Sequence, residues 1–484
     1  MQGLLARNGG RAGLAALGAV LLLGLGLRIG FAWDAWNPQV PDARAYARIA
    51  QSLDEDGSFT QRGAFTPRDV QQSSNYSPGL PLLVAGVYKA SGGVHPRLAR
   101  LVLAVIGTLS VLFAYLIARR LSGPAAGLLA AAVIAIYPAL LEYQGMLMTE
   151  PLAATLLSGA VLAVIWASDP GRGLAAWALP GALLGAMSLV RPEYLVVSLL
   201  IGLVVGARGL RGSPRAGLAR AGVLLAALVL VLAPWAVRNA IVLDRFVPIS
   251  TGGSQVLFAG TYLPSDGNPQ AVGGEVLERN PAIRRHLAKL HPSPLTGATT
   301  PRLLLSQRVP PVEVGPRELL SQRIFRLESI SLERILATLA AHRHPGEKSD
   351  TALAQMGRAQ LWHDIRDQPL RTAGFAARKV TRIWVRGQRD VMEEPGWAVF
   401  HAVVVALGLG GLALLALRRR WEALLIGSIF LAITLISALL VASPRRVLVL
   451  MPLVAALAGF AAVELAARLR RPRARAPSPP PATI

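Results

Sequence analysis

Residues 33–57 read WDAWNPQVPDARAYARIAQSLDEDG, and after a polar link residues 75–89 read NYSPGLPLLVAGVYK. The first segment follows an apolar run at 12–33 that is long enough to cross a bilayer, for which about 20 residues suffice. Within it, Tyr46, Ile49, Ala50 and Leu53 fall at i, i+3, i+4 and i+7, which is one apolar stripe of a helix lying flat rather than crossing. The second segment is apolar but punctuated by Pro78 and Pro81 and too short to span. Both prolines suit the first turn of a helix, where no hydrogen bond is lost. A polar, amphipathic loop between membrane-length runs makes the chain a polytopic membrane protein, and the rest of the sequence is read outward from there.

Composition agrees. Of 484 residues, 53% are hydrophobic and 16% are charged, against about 25% charged in soluble domains, and the mean hydropathy is +0.46. The net charge of +23 invites a nucleic-acid reading. The basic residues, however, cluster beside apolar runs, which is the positive-inside pattern, so the expected partner is a membrane and not nucleic acid. With no cysteine, disulfides, thiolate nucleophiles and Cys-ligated metals are excluded. The 12–33 run is longer than a signal-peptide core and reads as a retained span.

Ten spans are expected, at 12–33, 98–118, 124–142, 150–168, 174–190, 193–207, 218–238, 396–417, 421–442 and 446–467, so the fold class is all-α. Five basic clusters set the orientation: Arg7 and Arg11; Arg119 and Arg120; Arg208, Arg211, Arg215 and Arg220; Arg418 to Arg420; and Arg468, Arg470, Arg471, Arg473 and Arg475. All five share one side only if 78–91 does not cross, and a short tilted eleventh span is the alternative. The consistent topology has both termini cytoplasmic in the cell (plasma or inner) membrane. It divides the chain into a transmembrane catalytic module at 1–238 with a first outer loop at 34–97, an extracytoplasmic segment at 239–395, C-terminal spans at 396–467, and a basic, Pro-rich cytoplasmic tail at 468–484. The outer segment is expected to be mixed. Residues 239–262 show β-branched alternation, 263–317 read as irregular loop, and 318–341 and 352–386 have helical spacing, as at Leu320, Ile324, Leu327 and Ile335.

This topology puts Asp42, Glu150 and several arginines on the outer side. Asp42 opens the amphipathic helix, where a carboxylate is favoured by free N–H groups; it is either a helix cap or a general base for an acceptor hydroxyl. Glu150 precedes Pro151 at the entry of a span and is either a first-turn acid or a second functional carboxylate. Arg28, Arg100, Arg191, Arg238, Arg445 and Arg446 run against the positive-inside bias. Each alone is accounted for by snorkelling to lipid phosphate; as a set they suit an anionic headgroup, since guanidinium groups bind phosphate oxygens in pairs. His342 and His344 lack a third metal ligand. Gly24, Gly26, Gly408 and Gly410 lie within spans and read as helix-packing glycines.

On these residues the chain resembles the GT-C superfamily of polyprenyl-phosphate-sugar transferases. The likeness is to the bacterial branch related to protein O-mannosyltransferases (glycosyltransferase family 39) and to lipid A aminoarabinose transferase. PDARAYARIAQSL, YSPGLPLL, MTEPLAATL, LVRPEYLVV and SPRRVLVLMPLVAALAG resemble its motifs in family order, and PWAVRNAIVLDRFVPISTGG is the most specific piece. The resemblance implies sugar transfer from a polyprenyl-phosphate donor to an acceptor hydroxyl on a lipid, protein or glycan. It implies Asp42 as catalytic base and Glu150, with Tyr46, as second acid and acceptor contact. Donor-phosphate contacts fall on Arg191, Arg445, Arg446 and Arg100, with Tyr76, Arg28 and Arg238 as further pocket residues. Ala43 stands where the family often has Glu, and Arg446 where Tyr is usual. No cofactor is expected to be required, with a divalent cation as the alternative. Inversion at the anomeric carbon is expected. The rival readings are a flippase of polyprenyl-linked sugars, and an oligosaccharide transferase or polymerase of the same fold.

Overall fold

The computed structural model describes residues 10–34, 40–60, 75–210, 212–265, 271–290, 332–385 and 390–469. Arg7, Arg211, Leu320, Ile324, Leu327, Arg470, Arg471, Arg473, Arg475, most of the 263–317 stretch and nearly all of the tail lie outside these residues. The chain forms two compact units, one of Met1–Ser250, Thr381–Ile436 and Ser443–Ile484, the other of Thr251–Val380 and Ser437–Ala442.

The first unit opens with α1 (Arg11–Asp34), the amphipathic α2 (Pro41–Asp56) and the short α3 (Gly79–Ser91). Then come α4 (Pro96–Ser122), α5 (Pro124–Ala135), α6 (Pro138–Gln144), α7 (Thr149–Ala167), α8 (Ala178–Val190), α9 (Tyr194–Leu210) and α10 (Pro214–Leu243). The second unit takes α11 (Gly253–Thr261), α12 (Ala271–Arg279), α13 (Pro281–Leu290), α14 (Leu332–Arg343), α15 (Ser349–Asp367) and most of α16 (Pro369–Val385). The chain returns to the first unit with α17 (Pro395–Leu417), α18 (Trp421–Leu439) and α19 (Arg445–Leu469).

Among the described residues, seven helices are long and apolar enough to cross a membrane: α1, α4, α7, α10, α17, α18 and α19. The pair α5 and α6, bent by 52°, makes an eighth if counted as one span, and the apolar helices at 174–190 and 194–209 are shorter. All ten expected apolar segments are thus helical, and the protein is a multi-pass membrane protein. Their packing is unequal. The apolar windows of α7 and α19 are 83% and 78% buried, against 17% for α1 and 28% for α10. The first two are central, while outward leucines such as Leu22 and Leu230 face the hydrocarbon.

Three expectations are corrected, the first being that the described part of 263–317, expected as irregular loop, is largely helical and forms α12 and α13. The span at 124–142 is not continuous: it breaks at Ile136 and Tyr137, where Pro138 can neither extend the preceding helix nor leave its neighbour helical. The carbonyls freed at the break need donors. Arg28 of α1 supplies them, donating to Ile134 O at 3.0 Å and Ala135 O at 3.4 Å, and to Gly24 O at 3.1 Å on its own helix. The alternation at 239–262 makes no strand, and none is present among the described residues. Residues to Leu243 continue α10, Asp244 turns left-handed at φ 50° to end it, and 253–261 form α11.

The stretch PWAVRN has a plain structural reason. Trp235 and Asn239, four apart on one face of α10, reach the returning chain. Trp235 Nε1 donates to Ile249 O at 2.9 Å, and Asn239 Nδ2 donates to Val247 O and Ile249 O at 3.0 Å each. Of the span glycines, Gly24 packs on Ala135 and Gly408 on Val454, but Gly26 and Gly410 have nothing near them. The second unit is held by its own core, with Val272, Leu287, Leu336, Leu339 and Leu353 at its centre.

Candidate functional site

Four segments of the first unit meet at helix ends. Asp42 lies in the first turn of α2, Glu150 is the second residue of α7, Arg191 to Glu193 link α8 to α9, and Arg445 opens α19. Both carboxylates therefore sit where backbone N–H groups favour negative charge. The cap position of α2 is Val40 and no side chain caps that helix, so the Asp42 carboxylate is engaged elsewhere.

Arg445 joins the two acids. Its Nη1 donates to Asp42 Oδ2 at 2.7 Å and its Nε to Glu150 Oε1, while its guanidinium carbon lies 5.8 Å from the Tyr143 ring centroid. Glu150, fully buried, also accepts from Arg191 Nη1 at 3.4 Å, and Arg191 donates to Thr149 Oγ1 at 3.3 Å. On its other side Arg191 reaches Glu193 at 3.0 Å, and Glu193 lies 3.7 Å from Arg446 Nε. The outcome is a row of alternating charge, Asp42–Arg445–Glu150–Arg191–Glu193–Arg446, with three groups of each sign. Exposure is greatest at one end: the side chains of Asp42 and Arg445 are 36% and 23% exposed, Glu150 is at 0%, and Arg191, Glu193 and Arg446 are at 12%, 17% and 7%. The open end is Asp42 with Arg445.

Charges set one another inside the row. Burial alone would raise Glu193, but Arg191 and Arg446 outweigh it and hold the carboxyl below its usual range. Burial would likewise lower Arg191, yet Glu193 and Glu150 outweigh that and hold it protonated. Tyr46 packs edge-on to Tyr76 with centroids 5.3 Å apart. Burial first, and nearby Asp42 second, push its phenol up. It stands beside the acid as a neutral phenol. Gly79 opens α3 against Val190, where a Cβ would come within 2.6 Å of Val190 Cγ2. The glycine in YSPGLP thus lets α3 start against the end of α8, next to Arg191.

Three arginines expected in the set lie apart from the row. Arg28 serves the carbonyls of the α5–α6 break. Arg100 Nε donates to Ala32 O at 2.8 Å. Arg238 stacks over Trp235 and Phe59 and donates to Asn239 Oδ1 at 2.9 Å. Sequence reasoning placed all six arginines at one depth, but depth does not fix a partner. It also missed Glu193, although LVRPEYL shows an acid two residues after Arg191. A separate cleft of 530 Å³ at the α3–α4 corner is lined by Ser91, His95, Arg97 and Leu98 and has no carboxylate lining it.

No group of three or more His, Asp or Glu is arranged for a metal among the described residues. The nearest acids, Asp42 and Glu150, share a guanidinium, and Arg191 flanks the second. A divalent cation between them would face two positive groups, so this donor set does not fit one.

The sequence model of the family described as Dolichyl-phosphate-mannose-protein mannosyltransferase matches residues 75–236, about a third of the chain, taking in Glu150 and Arg191. Two solved structures from Archaeoglobus fulgidus are similar. The oligosaccharyltransferase tethered with an acceptor peptide containing the NVT sequon gives a TM-score of 0.53 at 15% identity, over 95% of this chain and 50% of that one. The oligosaccharyltransferase AglB in complex with an inhibitory peptide and a dolichol-phosphate gives 0.51 at 16%, over 95% and 51%. This chain spans about half their length. ArnT from Cupriavidus metallidurans bound to undecaprenyl phosphate gives 0.37 at 17%, over 95% and 79%, a score that carries no weight. Comparison with curated protein sequences gives no match. The likeness fixes the architecture: the chain has the GT-C fold.

Proposed function

We propose that this GT-C protein is a glycosyltransferase that takes a hexosyl or pentosyl group from a polyprenyl-phosphate donor and passes it to an acceptor hydroxyl at the extracytoplasmic face of the cell membrane. The observation that carries this reading is the meeting of Asp42, Glu150, Arg191 and Arg445 in one row of alternating charge, open to water at its Asp42–Arg445 end, from segments up to 403 residues apart.

The chemistry asks little of the protein. The acceptor oxygen attacks the anomeric carbon as the bond from that carbon to the phosphate oxygen breaks. The electron pair leaves with the polyprenyl phosphate, and the acceptor proton passes to Asp42. Attack opposite the leaving group inverts the centre. The protein must orient the partners, neutralise charge growing on the phosphate and accept one proton. Arg445 is the most exposed cation of the row and takes the phosphate. Arg191, through Glu150, and Arg446, through Glu193, hold it in place and add positive field. Tyr46 and Tyr76 wall the acceptor side. The family match and the dolichol-phosphate named with AglB support the donor class.

The test is transfer from a synthetic polyprenyl-phosphate sugar in proteoliposomes. Wild type transfers with inversion, and Asp42→Asn loses about 10²–10⁴ in rate, the span of general-base contributions. Equal transfer by both removes Asp42 from the mechanism, and retained configuration removes the single displacement.

A further inference from the structure

Asp42 is not an isolated carboxylate in this arrangement. Its carboxylate is paired with Arg445 at 2.7 Å, and the same guanidinium holds Glu150. The groups facing that guanidinium are Asp42 and Tyr46 from α2, Glu150 from α7, Tyr143 from α6, and the cations Arg191 and Arg446. Any anion reaching Arg445 must compete with Asp42 for it.

We propose that Asp42 and the donor phosphate are rival partners of Arg445, so that donor binding draws Arg445 off Asp42 and frees the carboxylate to act. This rests on the donor reading above and adds its order: phosphate lipid first, acceptor activation second. Burial assigns the moving parts. Glu150 is fully enclosed and pinned by a second arginine, Arg191, so it stays as the fixed anchor of Arg445. Asp42 is the most exposed member of the row, at 36%, and its only ion pair in the row is the one to Arg445. Exchanging one exposed, charge-assisted contact for another is inexpensive, whereas leaving Glu150 unpaired is not. The exchange has a consequence for turnover. The donor phosphodiester carries one negative charge; the released polyprenyl monophosphate carries up to two and holds Arg445 more strongly. The spent lipid therefore keeps Asp42 unpaired until it leaves, and departure restores the resting pair.

The competition fixes the sign of the Asp42 effect on binding. Removing the Asp42 charge removes the competitor, so Asp42→Asn and Asp42→Ala bind undecaprenyl monophosphate about tenfold more tightly than wild type, the factor that one charge-assisted contact represents at its lower end, while transfer falls. Glu55→Gln removes the same charge from the far end of α2, where Glu55 meets Gln51, and leaves affinity unchanged. Undecaprenol, which has no phosphate, gains nothing in any variant. Binding is read by titration into the full-length protein in nanodiscs, with thermal unfolding confirming that each variant is folded. Unchanged or weaker phosphate-lipid binding by both Asp42 variants overturns the competition. So does an equal gain in Glu55→Gln, which would make the effect a general field, or a gain with undecaprenol. Failure of every variant and of wild type to bind the phosphate lipid removes the donor reading itself.

Discussion

Glu150→Gln isolates what holds the site together. The carboxylate is fully buried and accepts from Arg445 Nε and from Arg191 Nη1 at 3.4 Å. Gln keeps the size and one acceptor oxygen but removes the charge, and its amide turns a donor toward one guanidinium. Hydrogen bonds to charged groups contribute about 1.5–3 kcal/mol each, and removing one partner of a buried pair costs about 3–5 kcal/mol. Here each arginine keeps another acid, Asp42 for Arg445 and Glu193 for Arg191. The expected loss is therefore at the lower end, about 2–3 kcal/mol. It is measured by SDS-titrated unfolding in mixed micelles, with Glu55→Gln as the exposed control within about 0.5 kcal/mol of wild type. A cycle with Arg445→Met adds the decisive number: the double variant is less destabilised than the sum of the singles by at least about 1 kcal/mol, because the pair is lost only once. A neutral Glu150→Gln, or strict additivity in the cycle, refutes the row as an energetic unit.

Glu193 gives a pH signature. Its folded carboxyl is held below its unfolded range of about 4.3, so its stabilisation is present at neutral pH and is lost as pH falls below that range through the lower folded value; unfolding against pH is steeper there for wild type than for Glu193→Gln. Arg28→Met withdraws three hydrogen bonds from the carbonyls at Gly24, Ile134 and Ala135 and costs about 3 kcal/mol, with unchanged affinity for undecaprenyl monophosphate; a selective loss of that affinity returns Arg28 to the donor site. Asn239→Leu strands the carbonyls of Val247 and Ile249 and lowers stability by about 1–3 kcal/mol, read in the same micelle titration, and no loss there leaves PWAVRN without its structural reason.

Much of the architecture was legible because span length and hydropathy are local properties. An apolar run of about 20 residues is helical in hydrocarbon, since no other backbone conformation satisfies its own hydrogen bonds. The exceptions are equally physical. The break at Tyr137–Pro138 is signalled by its proline, but an apolar composition hides it. The alternation at 239–262 belongs partly to a helix that continues and partly to a return segment pinned by Trp235 and Asn239.

The sequence by itself determined the class of molecule, the polar loop after the first span, and a short roster of charged residues with unusual placement. It could not decide which of those charges meet. Arg28, Arg100 and Arg238 read like Arg191 and Arg445 in any window of the chain, yet the first three bind carbonyls, an amide oxygen and aromatic rings, and the last two bind acids. Only the tertiary structure decided this. A charge near a helix end costs the same wherever it stands, but its partner is whatever the packing of distant helices brings within about 3 Å, and here Asp42 and Arg445 are 403 positions apart.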